Sequence, residues 1–401
     1  MAQTLTPHAA EELEPGPYLR ALSSLLHDQE EVPYVVRGQG ESSRVEQVAA
    51  GVLRALEATG RCRPAQREAE ARLVLNLTTP QRPQPHRRRS RAVFVVSLME
   101  GEIVGDEPLK TCYPYLVKTL SNVLLYVSGA ESPGAVKGGG PEFCVHMITP
   151  ERGHARIPYY PQEADRFYQE LARRLLPIVT SHLVIENEFY DDLPRELWEG
   201  DEHTRAFAEV GRRLDELNLL PAPFDLEALL PPEDLRHLRR LYRMGGLSHG
   251  NMSERLDQER FWMSASGVDK SALRVVGRDI LLVKGFSPER LSILLSVPPG
   301  IEPRRVSVDA IEHWMIYMEH PNVGAILHVH AWMDGVPSTD VVYPCGTVEL
   351  AHAVATLVRR SPTPERCVIG LRNHGLTITG ESLREIIERV GDRLIPHVPM
   401  E

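Results

Sequence analysis

The chain has 401 residues, 42% of them hydrophobic and 25% charged, with a formal charge of −10. That length predicts two domains. The acidic balance excludes a general attraction for nucleic acid or an anionic membrane surface, and no apolar stretch approaches the roughly 20 residues that a membrane helix needs.

The N-terminal Met1-Ala2-Gln3-Thr4 lacks the charged region and apolar core of a signal peptide. Cys62, Cys112, Cys144, Cys345 and Cys367 are odd in number and form no CxxC pair. The pattern predicts free thiols in a reducing cytoplasm rather than a disulfide framework.

In chain order, Tyr18–Leu26 reads as a helix and Ser42–Thr59 as a longer amphipathic one. Four apolar runs read as buried strands, at 72–78, 92–98, 122–127 and 143–148, with helix-like segments at 106–121 and 162–176. Strands alternating with helices predict an α/β N-terminal domain over residues 1–190. Two conspicuous features there have plain readings. The basic run His86–Arg91 is a solvated loop, and Gly138-Gly139-Gly140, with no Gly-Lys-Ser/Thr after it, is a flexible one. Residues 191–224, rich in Asp, Glu, Pro and Leu, read as linker helices.

A second domain is expected over 225–401. Its helices are read at Leu235–Met244, Val308–Glu319, Val348–Arg359 and from Ser382. Its strands are read at Phe261–Met263, Ile280–Val283, Gly324–His330, Cys367–Arg372 and Leu376–Thr379.

The chemistry concentrates in this second domain. His328 and His330 end an apolar strand-like run, Val323-Gly-Ala-Ile-Leu-His-Val-His. Residues i and i+2 of a strand share a face, so the two imidazoles stand side by side as a bidentate grip. A second apolar run ends in Asn373-His374-Gly375, where the glycine lets the backbone turn. Three neutral imidazoles with one open position are the arrangement of a catalytic zinc site, not of a closed structural one.

Five motifs then fall in one order. They are Gly250-Asn251-Met252-Ser253, Ser264-Ala265-Ser266-Gly267, Pro321-Asn-Val-Gly-Ala-Ile-Leu-His328-Val-His330, Tyr343-Pro-Cys-Gly346-Thr347, and Asn373-His374-Gly375. In that order they resemble the class II aldolase/adducin family, over the C-terminal part only.

The resemblance implies a central β-sheet flanked by helices and a Zn2+ or other divalent metal on His328, His330 and His374. It implies a lyase-type enzyme acting on a small hydroxy-carbonyl substrate, and a homo-oligomer. Aldol cleavage, 4-epimerisation, dehydration and decarboxylation all stay open. So does an adducin-like, non-catalytic scaffold, although adducins lack the metal histidines.

By the same resemblance Asp309 is an acid/base or an additional ligand. Glu312, one turn later, is the fallback acid, and His313 is structural. Gly250, Asn251, Ser266, Gly267 and Ser307 would hold the anionic end of the substrate. Val308 stands where the family has a second serine. Lys270 reads as an exposed lysine, Asp334 and Asp340 read as loop acids, and the N-terminal half shows no motif of this kind.

Overall fold

The computed structural model describes residues 30–40, 42–86, 93–105, 107–129, 140–150, 153–220, 230–241, 250–396 and 398–399. The helix expected at Tyr18–Leu26, the arginines of the basic run, Gly138 and Gly139 lie outside these residues. The fold is mixed α/β and is built on two sheets.

The first sheet contains β1 (Val32–Arg37), β2 (Cys62–Pro64), β3 (Leu73–Leu77), β4 (Phe94–Glu100), β5 (Val123–Gly129), β6 (Phe143–Ile148) and β7 (His154–Tyr159). Their order is β2-β1-β3-β4-β5-β6-β7, parallel through β5 and antiparallel thereafter. Strands β3 to β6 are apolar on both faces because both faces are covered. Helices α1 (Ser43–Ala58) and, further along the chain, Ala164–Val179 pack Val48, Val52, Leu171 and Leu175 on one face. Helix α2 (Pro108–Lys118), in sequence between those two, packs Cys112 and Leu116 on the other, together with Leu230 and Leu235. The Ala164–Val179 helix is α3. Strands β1, β2 and β7 were not read as strands: β1 is apolar but broken by Pro33, and β2 and β7 have too few apolar positions to form a run.

The second sheet contains β8 (Glu186–Tyr190), β9 (Asn251–Arg255), β10 (Phe261–Ser264), β11 (Ile280–Ser287), β12 (Ser292–Ser296), β13 (Ala325–Val329), β14 (Val368–Leu371) and β15 (Gly375–Gly380). The order is β14-β15-β13-β9-β10-β11-β12-β8. All neighbours are antiparallel except β12 and β8. Two observations bear on the expected organisation. Residues 186–190 were assigned to the N-terminal domain, yet their backbone pairs with Ser292–Ser296 of the second sheet. The segment read as short linker helices holds a 15-residue helix, α4 (Glu202–Glu216), capped by Asp201. It buries Phe207, Val210 and Leu214 in the core of the second sheet.

Helix α5 (Pro232–Leu241) joins the face of α2, where Lys118 pairs with Asp234 at 3.1 Å. Helices α6 (Ala310–Glu319), α7 (Val348–Arg360) and α8 (Leu383–Val390) cover the second sheet. Among the described residues no helix is long and apolar enough to cross a membrane. None of the five cysteines is joined in a disulfide.

One polar group in the first sheet carries a measurable consequence. His146 on β6 is fully buried, with Nε2 3.0 Å from Ser128 Oγ and Nδ1 3.0 Å from His154 Nε2. Burial, then the neighbouring His154 and Arg156 charges, pulls its pKa down to about 4. Above the unfolded value of about 6.5 both states are neutral there. Below it the unfolded chain takes up a proton that the folded chain refuses. Stability should therefore fall as the pH drops from about 6.5 towards 4, by up to about 3 kcal/mol from this group. Urea midpoints across that range should decline, and His146→Asn should make the decline shallower. An unchanged slope would contradict this account of His146.

Candidate metal centre

The pairing of β13 with β15 assembles the three histidines. The strands run antiparallel with His328 opposite Thr377 and Val329 opposite Leu376. The C-terminal end of β13, where His330 follows, therefore lies beside the N-terminal end of β15, where His374 precedes. Gly375 serves a different purpose from the expected turn. A Cβ there would come 2.3 Å from the Val329 carbonyl oxygen, so only glycine lets the strands approach this closely. The turn itself is made by Asn373, with φ of 59°.

The imidazole rings stand edge to face, with centroids 5.1 Å apart for His328–His330, 4.8 Å for His328–His374 and 4.9 Å for His330–His374. One ligand nitrogen from each lies within 4.8 Å of the others, which makes the trio a group able to hold a metal ion. His328 is 1% exposed. Its Nδ1 lies 3.0 Å from the Leu376 carbonyl oxygen, which can only accept, so Nδ1 carries the proton. Nε2 then keeps its lone pair, and it has no hydrogen-bond partner. A backbone carbonyl that fixes the tautomer of a ligand histidine is the usual outer support of a metal site. The donor set and this orphaned nitrogen both fit a divalent cation.

Asp309 precedes α6 and is 5% exposed. Its Oδ2 lies 4.0 Å from His328 Nε2 and accepts a 2.7 Å hydrogen bond from Asn251 Nδ2. Its Oδ1 is buried without a partner. Asn251 is set by β9, where it stands opposite His328. Gly250, just before it, has φ of 79°, and a Cβ there would meet the His328 carbonyl oxygen at 2.4 Å. Gly250, Asn251 and Asp309 are thus gathered around His328.

Three further residues were expected to hold the substrate's anion. Ser266 and Gly267 line an open cavity of about 810 Å³ with Arg278, Arg304 and Arg305. The Ser307 backbone N–H reaches the Ser264 carbonyl at 3.4 Å, and the Ser307 side chain is half-buried. The family's serine pair is replaced here by Ser307 and a half-exposed Val308. Asp334 and Asp340 are exposed, as loop acids are.

A buried polar layer lies behind the histidines. Lys270, read as exposed, is 3% exposed because helix α4 covers it, with Gly211 packed against its backbone. Burial lowers its ammonium to about 8, against the opposing pull of Asp269 and Asp309. Glu312 is fully buried and accepts from Thr377. Burial, and after it the Asp309 charge, holds its carboxyl well above the usual carboxylate range. Ser253 Oγ sits 2.7 Å from His313 Nδ1 and 2.9 Å from Tyr317 Oη. His313 is buried and neutral, its pKa lowered to about 3 by burial.

Two further groups at the site were missed by the motif reading. Cys345 Sγ lies 3.3 Å from His374 Nε2. A small cavity of about 60 Å³ bounded by Cys345 and His374 is also lined by Asn122, Thr149 and Ile178 of the N-terminal half. Cys345 lay inside a quoted motif and was legible as a candidate ligand. The N-terminal contribution had no sequence signal.

Residues 235–339 match the family described as the Class II Aldolase and Adducin N-terminal domain. Two curated relatives share an 82-residue stretch with the chain. The methylthioribulose-1-phosphate dehydratase of Serratia proteamaculans (strain 568) is 38% identical there. That of Pectobacterium carotovorum subsp. carotovorum (strain PC1) is 35% identical. In each case the stretch is 20% of this chain, and the chain spans only 34% of the relative's length. Among solved structures, an L-fuculose 1-phosphate aldolase is 17% identical with a TM-score of 0.32, covering 48% of this chain and 83% of that one. The L-fuculose-1-phosphate aldolase of Thermus thermophilus is 20% identical with a TM-score of 0.28, covering 47% and 86%. Over residues 235–339, then, the chain is similar to the class II aldolase/adducin family.

Proposed function

We propose that the C-terminal domain is a zinc-dependent lyase-type enzyme acting on a small, phosphorylated hydroxy-carbonyl compound. The observation that carries this reading is the buried, partnerless Nε2 of His328 facing His330 and His374, with the Asp309 carboxylate 4.0 Å away. His313 Nε2 is also buried without a partner, so it is the convergence of three imidazoles beside a carboxylate that a scaffold module does not need.

His328, His330 and His374 would hold the metal, which supplies Lewis-acid polarisation of a substrate oxygen when bound. The rest of the chemistry belongs to the chain. Asp309 is the acid/base: Asn251 fixes its Oδ2 and leaves Oδ1 to take or return a proton beside the histidines. Glu312 stays protonated and structural, tied to Thr377. Gly250 and Asn251 bound the reacting end of the substrate. Ser266, Gly267 and Ser307, with Arg278, Arg304 and Arg305 beside the first two, suit its anionic end. The two sequence relatives are named as dehydratases of methylthioribulose-1-phosphate, which supports a sugar phosphate as substrate and favours dehydration beside aldol cleavage. Alongside this we take the chain as two domains meeting near residue 185 and as a cytoplasmic homo-oligomer. Light scattering at micromolar concentration checks the last, and a monomer would contradict it.

Purified full-length protein should carry about one zinc per chain by mass spectrometry, as expected for a site built on three histidine ligands. Changing His328 and His330 together to Ala should abolish that binding. A metal-replete preparation with no stoichiometric metal removes the basis of the proposal.

Asp309→Asn should leave the metal content intact and slow turnover of a responding sugar phosphate by roughly 10²–10⁴. Lost metal would instead make Asp309 a ligand. Glu312→Gln keeps the shape and the neutral state of that side chain, so its effect should stay within about threefold. A crippled Glu312→Gln beside a harmless Asp309→Asn would reverse the two assignments.

A further inference from the structure

Cys345 is half-buried, unlike the other four cysteines, which are buried. Its sulfur lies 3.3 Å from Nε2 and 3.7 Å from Nδ1 of His374. An independent observation stands across the same group. His328 Nε2 is buried, has no hydrogen-bond partner, and belongs to a ring whose centroid is 4.8 Å from that of His374. Set among three imidazoles whose ligand atoms lie within 4.8 Å of one another, that lone pair points to a cation.

Coordination geometry gives the separation a meaning. With bonds of about 2.0–2.1 Å to imidazole nitrogen and about 2.3 Å to thiolate sulfur, two such donors on one tetrahedral zinc stand about 3.5 Å apart. The separations of 3.3 and 3.7 Å between Cys345 and His374 bracket that edge. The sulfur sits at the His374 corner of the compact histidine group, not over its centre.

The loop that carries it is held. Leu183 bridges Thr347, and the Val184 N–H donates to the Gly346 carbonyl at 2.8 Å. Gly346 has φ of 70°, and a Cβ there would lie 2.9 Å from Val308 Cβ. The sulfur's own freedom is therefore its χ1 torsion, and one staggered step moves it by about 3 Å.

We propose that Cys345 is a fourth, displaceable ligand of the metal held by His328, His330 and His374. The resting site is then a closed shell of three histidines and one thiolate, and it opens when the oxygen atoms of a substrate displace the sulfur. This rests on the metal reading above. The thiol releases its proton to solvent as the sulfur binds and regains one when displaced. The soft sulfur biases the site towards zinc over magnesium or manganese. A fourth protein ligand also keeps water off the metal until substrate arrives.

The test uses the full chain, stripped with a chelator and reloaded with one equivalent of Co2+. The wild type should show the visible d–d bands of four-coordinate cobalt and a near-ultraviolet thiolate-to-cobalt charge-transfer band. Cys345→Ser should keep the d–d bands, lose the charge-transfer band and bind Co2+ at least about tenfold more weakly. Cys367→Ser, whose thiol contacts Thr379 and the Pro364 carbonyl, should keep both. Visible bands without charge transfer, or a charge-transfer band that survives in Cys345→Ser, overturn the cysteine ligand and leave the three-histidine site standing. Absence of the visible bands in the wild type overturns the metal reading itself. Should Cys345→Ser fail to fold by circular dichroism, the native chain still answers. Co2+ should slow iodoacetamide alkylation of Cys345, followed by peptide mass spectrometry, at least about tenfold, and equal rates overturn the proposal.

Discussion

The antiparallel contact between β13 and β15 is the constraint on which the rest of the site depends. Its register places His328 opposite Thr377, and the close approach at Gly375 sets His374 beside His330. A one-residue slip would turn every side chain of β13 to the opposite face and scatter the trio. The same ladder provides the Leu376 carbonyl that holds His328 Nδ1–H. Backbone pairing thus determines both where the imidazoles stand and which nitrogen of His328 is left to act.

Behind that ladder the protein maintains a polar layer inside an otherwise apolar core. Asn251, Ser253, Asp309, Glu312, His313, Tyr317 and Thr377 are buried together. In so low a dielectric, an unpaired charge is costly, so the layer is mostly neutral and hydrogen-bonded. Burial raises the Glu312 carboxyl above the usual carboxylate range and lowers the His313 imidazole, favouring the neutral form of each. Asp309 lies beside His328, with one oxygen held by Asn251 and the other without a partner. Such layers orient reacting groups because every alternative arrangement breaks a buried hydrogen bond.

The N-terminal sheet is joined to this centre through a short segment. His182 binds Glu349 at the start of α7 by its ring at 2.7 Å and its backbone N–H at 2.9 Å, and Val184 binds Gly346. The loop between Tyr343 and Thr347 is thereby tied both to the Asp309 turn, through Gly346 against Val308, and to the segment that leaves the first sheet. Arg372 and Asn373 line a further cavity of about 330 Å³ with His154, Arg173 and Arg174 of the N-terminal half. Residues of both halves therefore face the mouth of the histidine group.

The sequence by itself determined the parts whose physics is local. Runs such as Phe143–Ile148 and Val368–Leu371 are apolar because their side chains are mostly buried, and they were read as strands. The helix Val348–Arg360 was legible from its 3.6-residue pattern. The i, i+2 spacing of His328 and His330 and the Asn-His-Gly turn marked the three histidines without any tertiary information. Tertiary structure decided the rest, since burial and partnership depend on segments distant in the chain. Lys270 looks like a surface lysine until α4 covers it. Strand β8, Glu-Asn-Glu-Phe-Tyr, has no buried position and exposes Phe189 and Tyr190, and only pairing with β12 makes it a strand. Ser266 and Gly267 match a motif, but where they lie relative to the histidines depends on how β10 leads into the following turn. The distance from Cys345 to His374, 29 residues apart, exists only once β13, β15 and the Gly346 turn have closed on one another.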